Sequence, residues 1–275
     1  MTRFTAWRRR SWAGYAVVLA TLAAIGVIYA GFSPSTDPAE ASGTQAQAQD
    51  LAKGRELYNQ NCASCHGVNA EGTKDDKGNT RAPSLIGVGA ASVDFQITTG
   101  RMPAMTFNAQ VPSKKVVPPF DDPGNVEAVA AYIQSLGGGP GIPTVPADGD
   151  VALGGKLFRT NCAQCHNFTG QGGALTGGKY APDLHDTTPV QIYEAMLTGP
   201  QAMPVFNDTT LTPEDKAAII AFITTVRDEA NPGGNGLGRI GPVSEGLAAW
   251  IVGIGLLVFC AMWITAKKPK KLKKS

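Results

Sequence analysis

Asn61-Cys62-Ala63-Ser64-Cys65-His66 recurs one hundred residues later as Asn161-Cys162-Ala163-Gln164-Cys165-His166. No other feature restricts the fold so far. C-x-x-C-H is the attachment sequence for c-type haem. Two thiols three positions apart on one turn both reach the vinyl-bearing edge of a porphyrin, and the next residue, His, stands under the iron. The two copies use four of the five cysteines and two of the three histidines. A zinc ribbon pairs its C-x-x-C units across roughly 15–20 residues, far less than the gap here. A thioredoxin-like dithiol sits near a βαβ pattern, which neither copy has. Disulfides of three-residue span close loops too small to stabilise much. The expected cofactors are therefore two covalently bound haem c groups, on Cys62 and Cys65 and on Cys162 and Cys165.

The motif is the centre of a longer internal repeat. Gly54, Leu57, Tyr58 and Asn61 align with Gly154, Leu157, Phe158 and Asn161. Further on, Ala82-Pro83-x-Leu85 matches Ala181-Pro182-x-Leu184, and Thr99-Gly100 matches Thr198-Gly199. Each block closes on an apolar helical pattern, Val126 to Leu136 in the first and Ile219 to Val226 in the second. Thr212-Pro213-Glu214-Asp215 is the start signal of the latter, with Pro at the first helical position. Strand signals are sparse. The expected fold is mainly α, with long irregular loops, because a buried macrocycle replaces much of a side-chain core.

His66 and His166 are the expected proximal iron ligands. A Met opposite His raises the potential and closes the iron to substrates. In the second block Met203, followed by Pro204, is the expected sixth ligand, since Met196 falls within an apolar helix pattern. In the first block Met102, followed by Pro103, is expected, with Met105 as the alternative. The His-to-Met separations are 36 for Met102, 39 for Met105 and 37 for Met203. His185 follows the Pro-x-Leu segment and aligns with Ile86; a solvent-facing or hydrogen-bonded role is expected for it.

Charge is unevenly placed. Arg3, Arg8, Arg9 and Arg10 precede the first apolar run, and six lysines from Lys267 to Lys274 follow the last. The middle then holds 14 basic and all 22 acidic residues, a net −8. Such a surface excludes nucleic acid as a partner and suits a basic or metal-bearing docking face. Ala13–Phe32 and Leu247–Ala266 are each twenty residues without a charge, long enough to span a bilayer. The first exceeds the ~7–15-residue core of a secretory signal, so a retained anchor is preferred to a cleaved leader. Trp250 and Trp263 lie near the ends of the second, as interfacial aromatics do, and the flanking cations place both termini in the cytoplasm. Cys260 lies within this span and reads as a free thiol.

The expected organisation is a basic N-terminus (1–12), an anchor (13–32), a flexible tether (33–49), a first haem domain (50–139) and a linker (140–149). A second haem domain (150–230), a Gly-rich connector (231–246), a membrane helix (247–266) and a Lys-rich tail (267–275) follow.

Each block, on Gly54 with Tyr58, Gly154 with Phe158, the C-x-x-C-H and the Met-Pro pairs, resembles a class I cytochrome c domain. The resemblance implies an N-terminal helix crossing a C-terminal one at a glycine–aromatic contact, with Tyr132 and Phe222 on the latter. It also implies that the carbonyls of Pro83 and Pro182 hold the proximal histidines. The whole layout, with Gly100-Arg101-Met102-Pro103-Ala104-Met105 and Lys179-Tyr180-Ala181-Pro182-Asp183-Leu184, resembles the dihaem cytochrome c subunit of the actinobacterial cytochrome bcc complex. That resemblance implies a multi-pass cell-membrane protein whose haem domains lie outside. It implies electron transfer from a Rieske iron–sulfur protein, beside a cytochrome b subunit, to the copper centre of an aa-type oxidase. It implies a subunit of a quinol–cytochrome c reductase with no substrate chemistry of its own. The rivals are the dihaem subunit of a cbb-type oxidase, the cytochrome subunit of a membrane dehydrogenase, and a dihaem cytochrome peroxidase.

Overall fold

The structure is a computed structural model and describes residues 12–32, 38–106, 110–229 and 242–266. Most of the basic N-terminus, most of the Gly-rich connector and the Lys-rich tail expected from the sequence lie outside the described residues. The chain divides into two units, Met1–Gln49 and Asp50–Ser275.

In the first unit, helix α1 (Ala13–Phe32) coincides with the first apolar run. Its stretch Gly14–Tyr29 is apolar. The next helix, α2 (Pro38–Asn61), corrects one expectation: residues 38–49, read as a flexible tether, are helical. The segment has no apolar stripe, but Ala, Glu and Gln are good helix formers, and propensity summed over a dozen residues outweighs the missing periodicity.

The first haem-motif block begins in the second half of α2. After it come the one-turn helix α3 (Ala63–His66), the paired strands β1 (Thr73–Lys74) and β2 (Thr80–Ala82), α4 (Ala90–Thr98) and α5 (Pro123–Ser135). The second block repeats the series as α6 (Val151–Asn161), α7 (Ala163–His166), β3 (Gly173–Ala174), β4 (Tyr180–Ala181), α8 (Pro189–Thr198) and α9 (Pro213–Asp228). Strands of two or three residues leave no alternating pattern in the sequence.

The helix ends follow local chemistry. Asp122 accepts from the Gly124 N–H and Asp150 from the Ala152 and Leu153 N–H groups, satisfying amides that the first turn leaves free. Thr188 and Thr212 form capping boxes with Gln191 and Asp215, each with Pro at the first position.

Packing in each block turns on one glycine. A Cβ on Gly54 would collide with the Ala128 carbonyl of α5, and one on Gly154 with the Ala218 carbonyl of α9. Glycine lets the backbones touch, and the aromatics one turn on close the crossing. Tyr58 meets Tyr132 at 5.5 Å between ring centroids, and Phe158 meets Phe222 at 5.4 Å. Tyr58, Val129 and Ile133 anchor one buried cluster; Phe158, Ile219 and Ile223 anchor the other.

The two blocks also touch each other. Helix α4 packs against α8. Across this seam the Gln191 side-chain amide donates to Thr98 Oγ1 at 3.0 Å, and that of Gln201 to the Val111 carbonyl at 3.0 Å. The glycine-rich linker lies on the first block, where the Ala91 N–H donates to the Pro140 carbonyl at 3.0 Å.

Helix α10 (Pro242–Thr265) follows the second block. Its segment Ser244–Thr265 is long and apolar enough to cross a membrane, and its side chains are exposed, including Trp250, Trp263 and Cys260.

Candidate haem sites

Each C-x-x-C-H occupies the same local frame. The preceding helix ends at Asn61 or Asn161, whose side-chain amide donates to the carbonyl of Leu57 or Leu157 and terminates it. The His N–H then bonds back to the first Cys carbonyl at 2.9 Å in both copies, forming one turn. The chain leaves that turn through a positive-φ residue, Gly67 (φ 82°) in one block and Asn167 (φ 66°) in the other. With ψ of 156° and 176° this is the positive-φ extended region, which glycine enters freely and asparagine only where its surroundings hold it. The loop is closed by the Gly72 N–H donating to the His66 carbonyl at 2.7 Å, and by Gly172 to His166 at 3.0 Å. In the first block the Tyr58 hydroxyl also donates to the Gly67 carbonyl at 2.6 Å. Burial, ahead of the neighbouring Cys62, pushes that phenol up to about 12. Phe158 cannot make the equivalent bond.

Both histidines are buried, with relative exposures of 8% and 9%. His66 Nδ1 lies 2.8 Å from the Pro83 carbonyl and His166 Nδ1 3.0 Å from that of Pro182. A carbonyl only accepts, so Nδ1 carries the proton and Nε2 keeps its lone pair free for a metal. Burial also holds His166 below its ordinary pKa, favouring the neutral, ligating form.

The first thiol of each pair is buried against the cluster. Burial, with the second Cys as a lesser cause, pushes Cys62 up to about 11 and Cys162 up to about 12.

In the second block a cavity brings together Cys162, Cys165, His166, Pro182 and Met203. Met203 is half-buried and packs against the same cluster as Cys162. In the first block Cys62 and Met102 pack against one cluster, and Met102 is half-buried, whereas Met105 is 82% exposed. Met196 is buried within α8, in core packing. His185 binds Asp183 instead of entering the cavity, with Nδ1 2.6 Å from Oδ1. Sequence reasoning missed three residues. Phe95, Arg101 and Gln110 of the first block line the cavity of the second. Only the packing of α4 on α8 brings them there, and no local pattern announces it.

The histidine tautomers, the apolar cavity and the paired cysteines fit covalent haem, and the comparisons agree. A family model described as cytochrome c matches residues 51–137, and one described as subunit III of cbb3-type cytochrome c oxidase matches 149–223. The chain is 45% identical to the cytochrome bc1 complex cytochrome c subunit of Mycobacterium leprae, over 91% of this chain and 86% of that one. The chain belongs to this family of cytochrome c subunits. The like-named subunit of Corynebacterium efficiens is 43% identical, over 94% of this chain and 90% of that one. The CcoP subunit of a cbb3-type oxidase from Rubrivivax gelatinosus is 29% identical over 71% of this chain and 60% of its own length. Two cytochrome c domains, each with a covalently attached haem c, make this family member a dihaem electron carrier.

Proposed function

We propose that the chain is the membrane-anchored dihaem subunit of a bc-type menaquinol oxidoreductase. It takes electrons from that complex's Rieske protein, beside its cytochrome b subunit, and passes them to the copper centre of an aa-type oxidase. Cys62, Cys65, Cys162 and Cys165 would hold the two haems as thioethers; His66 with Met102, and His166 with Met203, would ligate the irons. Pro83 and Pro182 fix the imidazoles. When bound, each haem supplies one-electron Fe(III)/Fe(II) chemistry at an iron with no open position. The protein's work would be to exclude water, hold each imidazole by Nδ1 and supply the thioether of Met as a second ligand. α10, and α1 as a second anchor, leave both termini in the cytoplasm and the haem domains outside.

The observation that supports this reading is that both sites are built from the same parts. Each His is locked to a proline carbonyl, and each site has a half-buried Met on the Cys-bearing cluster. A peroxidase needs one haem open to substrate, and Met203 stands against that. A cbb-type oxidase subunit is the second reading, favoured by the match of the second block. The lower identity and partial coverage of those relatives place it behind.

Purification of the tagged chain from membranes in mild detergent tests the proposal. The expected result is two haem c per chain, together with haem b, a Rieske protein and an aa-type oxidase. A chain that comes down alone with two haems would leave a tethered shuttle and overturn the complex-subunit reading.

A further inference from the structure

Arg101 stands one residue before Met102, yet its side chain lines the cavity of the other block with Cys165, His166 and Met203. The guanidinium lies 5.0 Å from the centre of the Phe95 ring, which lines the same cavity. Gln110 fixes this wall by a two-way bond to the backbone of Tyr180, donating to its carbonyl at 2.7 Å and accepting its N–H at 2.9 Å. Thr98, two residues before Gly100, is held to Gln191 of α8. The first block therefore closes the second haem's pocket and delivers a cation into it.

We propose that Arg101 is a positioning and tuning residue for the second haem, supplied in trans by the first domain, and that its charge raises that haem's potential. The proposal rests on the reading of the second cavity as a haem site. Reduction removes one unit of positive charge from the iron, so a nearby cation favours the reduced state. Arg keeps its charge at any working pH, and a half-buried guanidinium is screened less by water and salt than an exposed one. Burial, hydrogen bonds to the iron's ligands and local charge are the levers by which a protein sets a haem potential. One dipeptide, Arg101-Met102, then serves both sites: Met102 closes the first iron while Arg101 biases the second. The bias favours transfer from the first haem to the second.

The test is an optical redox titration of the haem-loaded full chain and of four variants. Met102→His, which moves the first haem's wave, assigns the two potentials. Arg101→Gln and Arg101→Met both remove the charge; the second matches the apolar wall, so that one neutral variant folds if the other does not. Both are expected to lower the second haem's reduction constant about tenfold, which is about 59 mV for one electron. The first haem should move by far less, and Arg101→Lys should restore most of the shift. An unmoved second potential in the neutral variants would overturn the proposal, and so would a loss that Arg101→Lys reproduces in full, which marks packing in place of charge. Failure of the underlying reading would look different: the unmutated chain would carry one haem instead of two.

Discussion

At the scale of residues, what was legible is what chemistry demands of a short stretch. The spacing of Cys62, Cys65 and His66 points to a haem because no other group needs that geometry, and the repeat at offset 100 doubles the weight. The nearness of Pro83 and Pro182 to the imidazoles is observed directly. Met102 and Met105 are three residues apart and chemically identical, so sequence separates them only by the following proline and the spacing from His66; burial separates them further. This predicts that Met105→Leu leaves the visible spectrum and both potentials unchanged. Met102→Leu should abolish the long-wavelength charge-transfer band of one Met-ligated haem while both haems stay attached. Loss of the band in Met105→Leu alone would reverse the assignment.

At the scale of elements, helix ends and the crossing glycines were legible because each has a local reason. Thr212 and Pro213 start α9, and Gly54 and Gly154 permit a backbone approach that any side chain blocks. The helical course of 38–49 was missed because it has propensity without periodicity. The strand pairs were missed because two or three residues carry no pattern. Gly154→Ala is expected to destabilise the haem-loaded chain by at least ~2 kcal/mol, since overpacking at a rigid backbone contact costs about 1–3 kcal/mol. Gly141→Ala is the control, because a Cβ there meets open space. Thermal unfolding followed by loss of the Soret signal reads both, and an equal Tm for the two variants would contradict the packing account.

At the scale of the molecule, the seam between the blocks is the part that sequence could not show, since α4 and α8 meet only in three dimensions. It also holds an ionisable pair. Glu194 of α8 is fully buried with Asp94 of α4 beside it, and Glu127 of α5 adds to the negative field at Asp94. Burial first, then the Asp94 charge, push Glu194 up to about 9; burial also raises Asp94. The folded state thus keeps a proton that the unfolded chain releases near the ordinary glutamate value of 4.5. Because the unfolded chain binds fewer protons between those values, stability falls as pH rises from about 4.5 to about 9. Glu194→Gln should raise Tm at pH 8 and flatten its dependence on pH across that window. An unchanged slope would mean that the carboxyl stays solvated.

On the proposed function, with the first domain walling the second pocket, the two haems would form a series path. Quinol-driven oxygen consumption and haem reduction, measured together in the purified assembly carrying Cys162→Ala and Cys165→Ala, test that directly. The account predicts that quinol still reduces the first haem, which then stays reduced while oxygen consumption stops. Continued oxygen consumption without the second haem would contradict it.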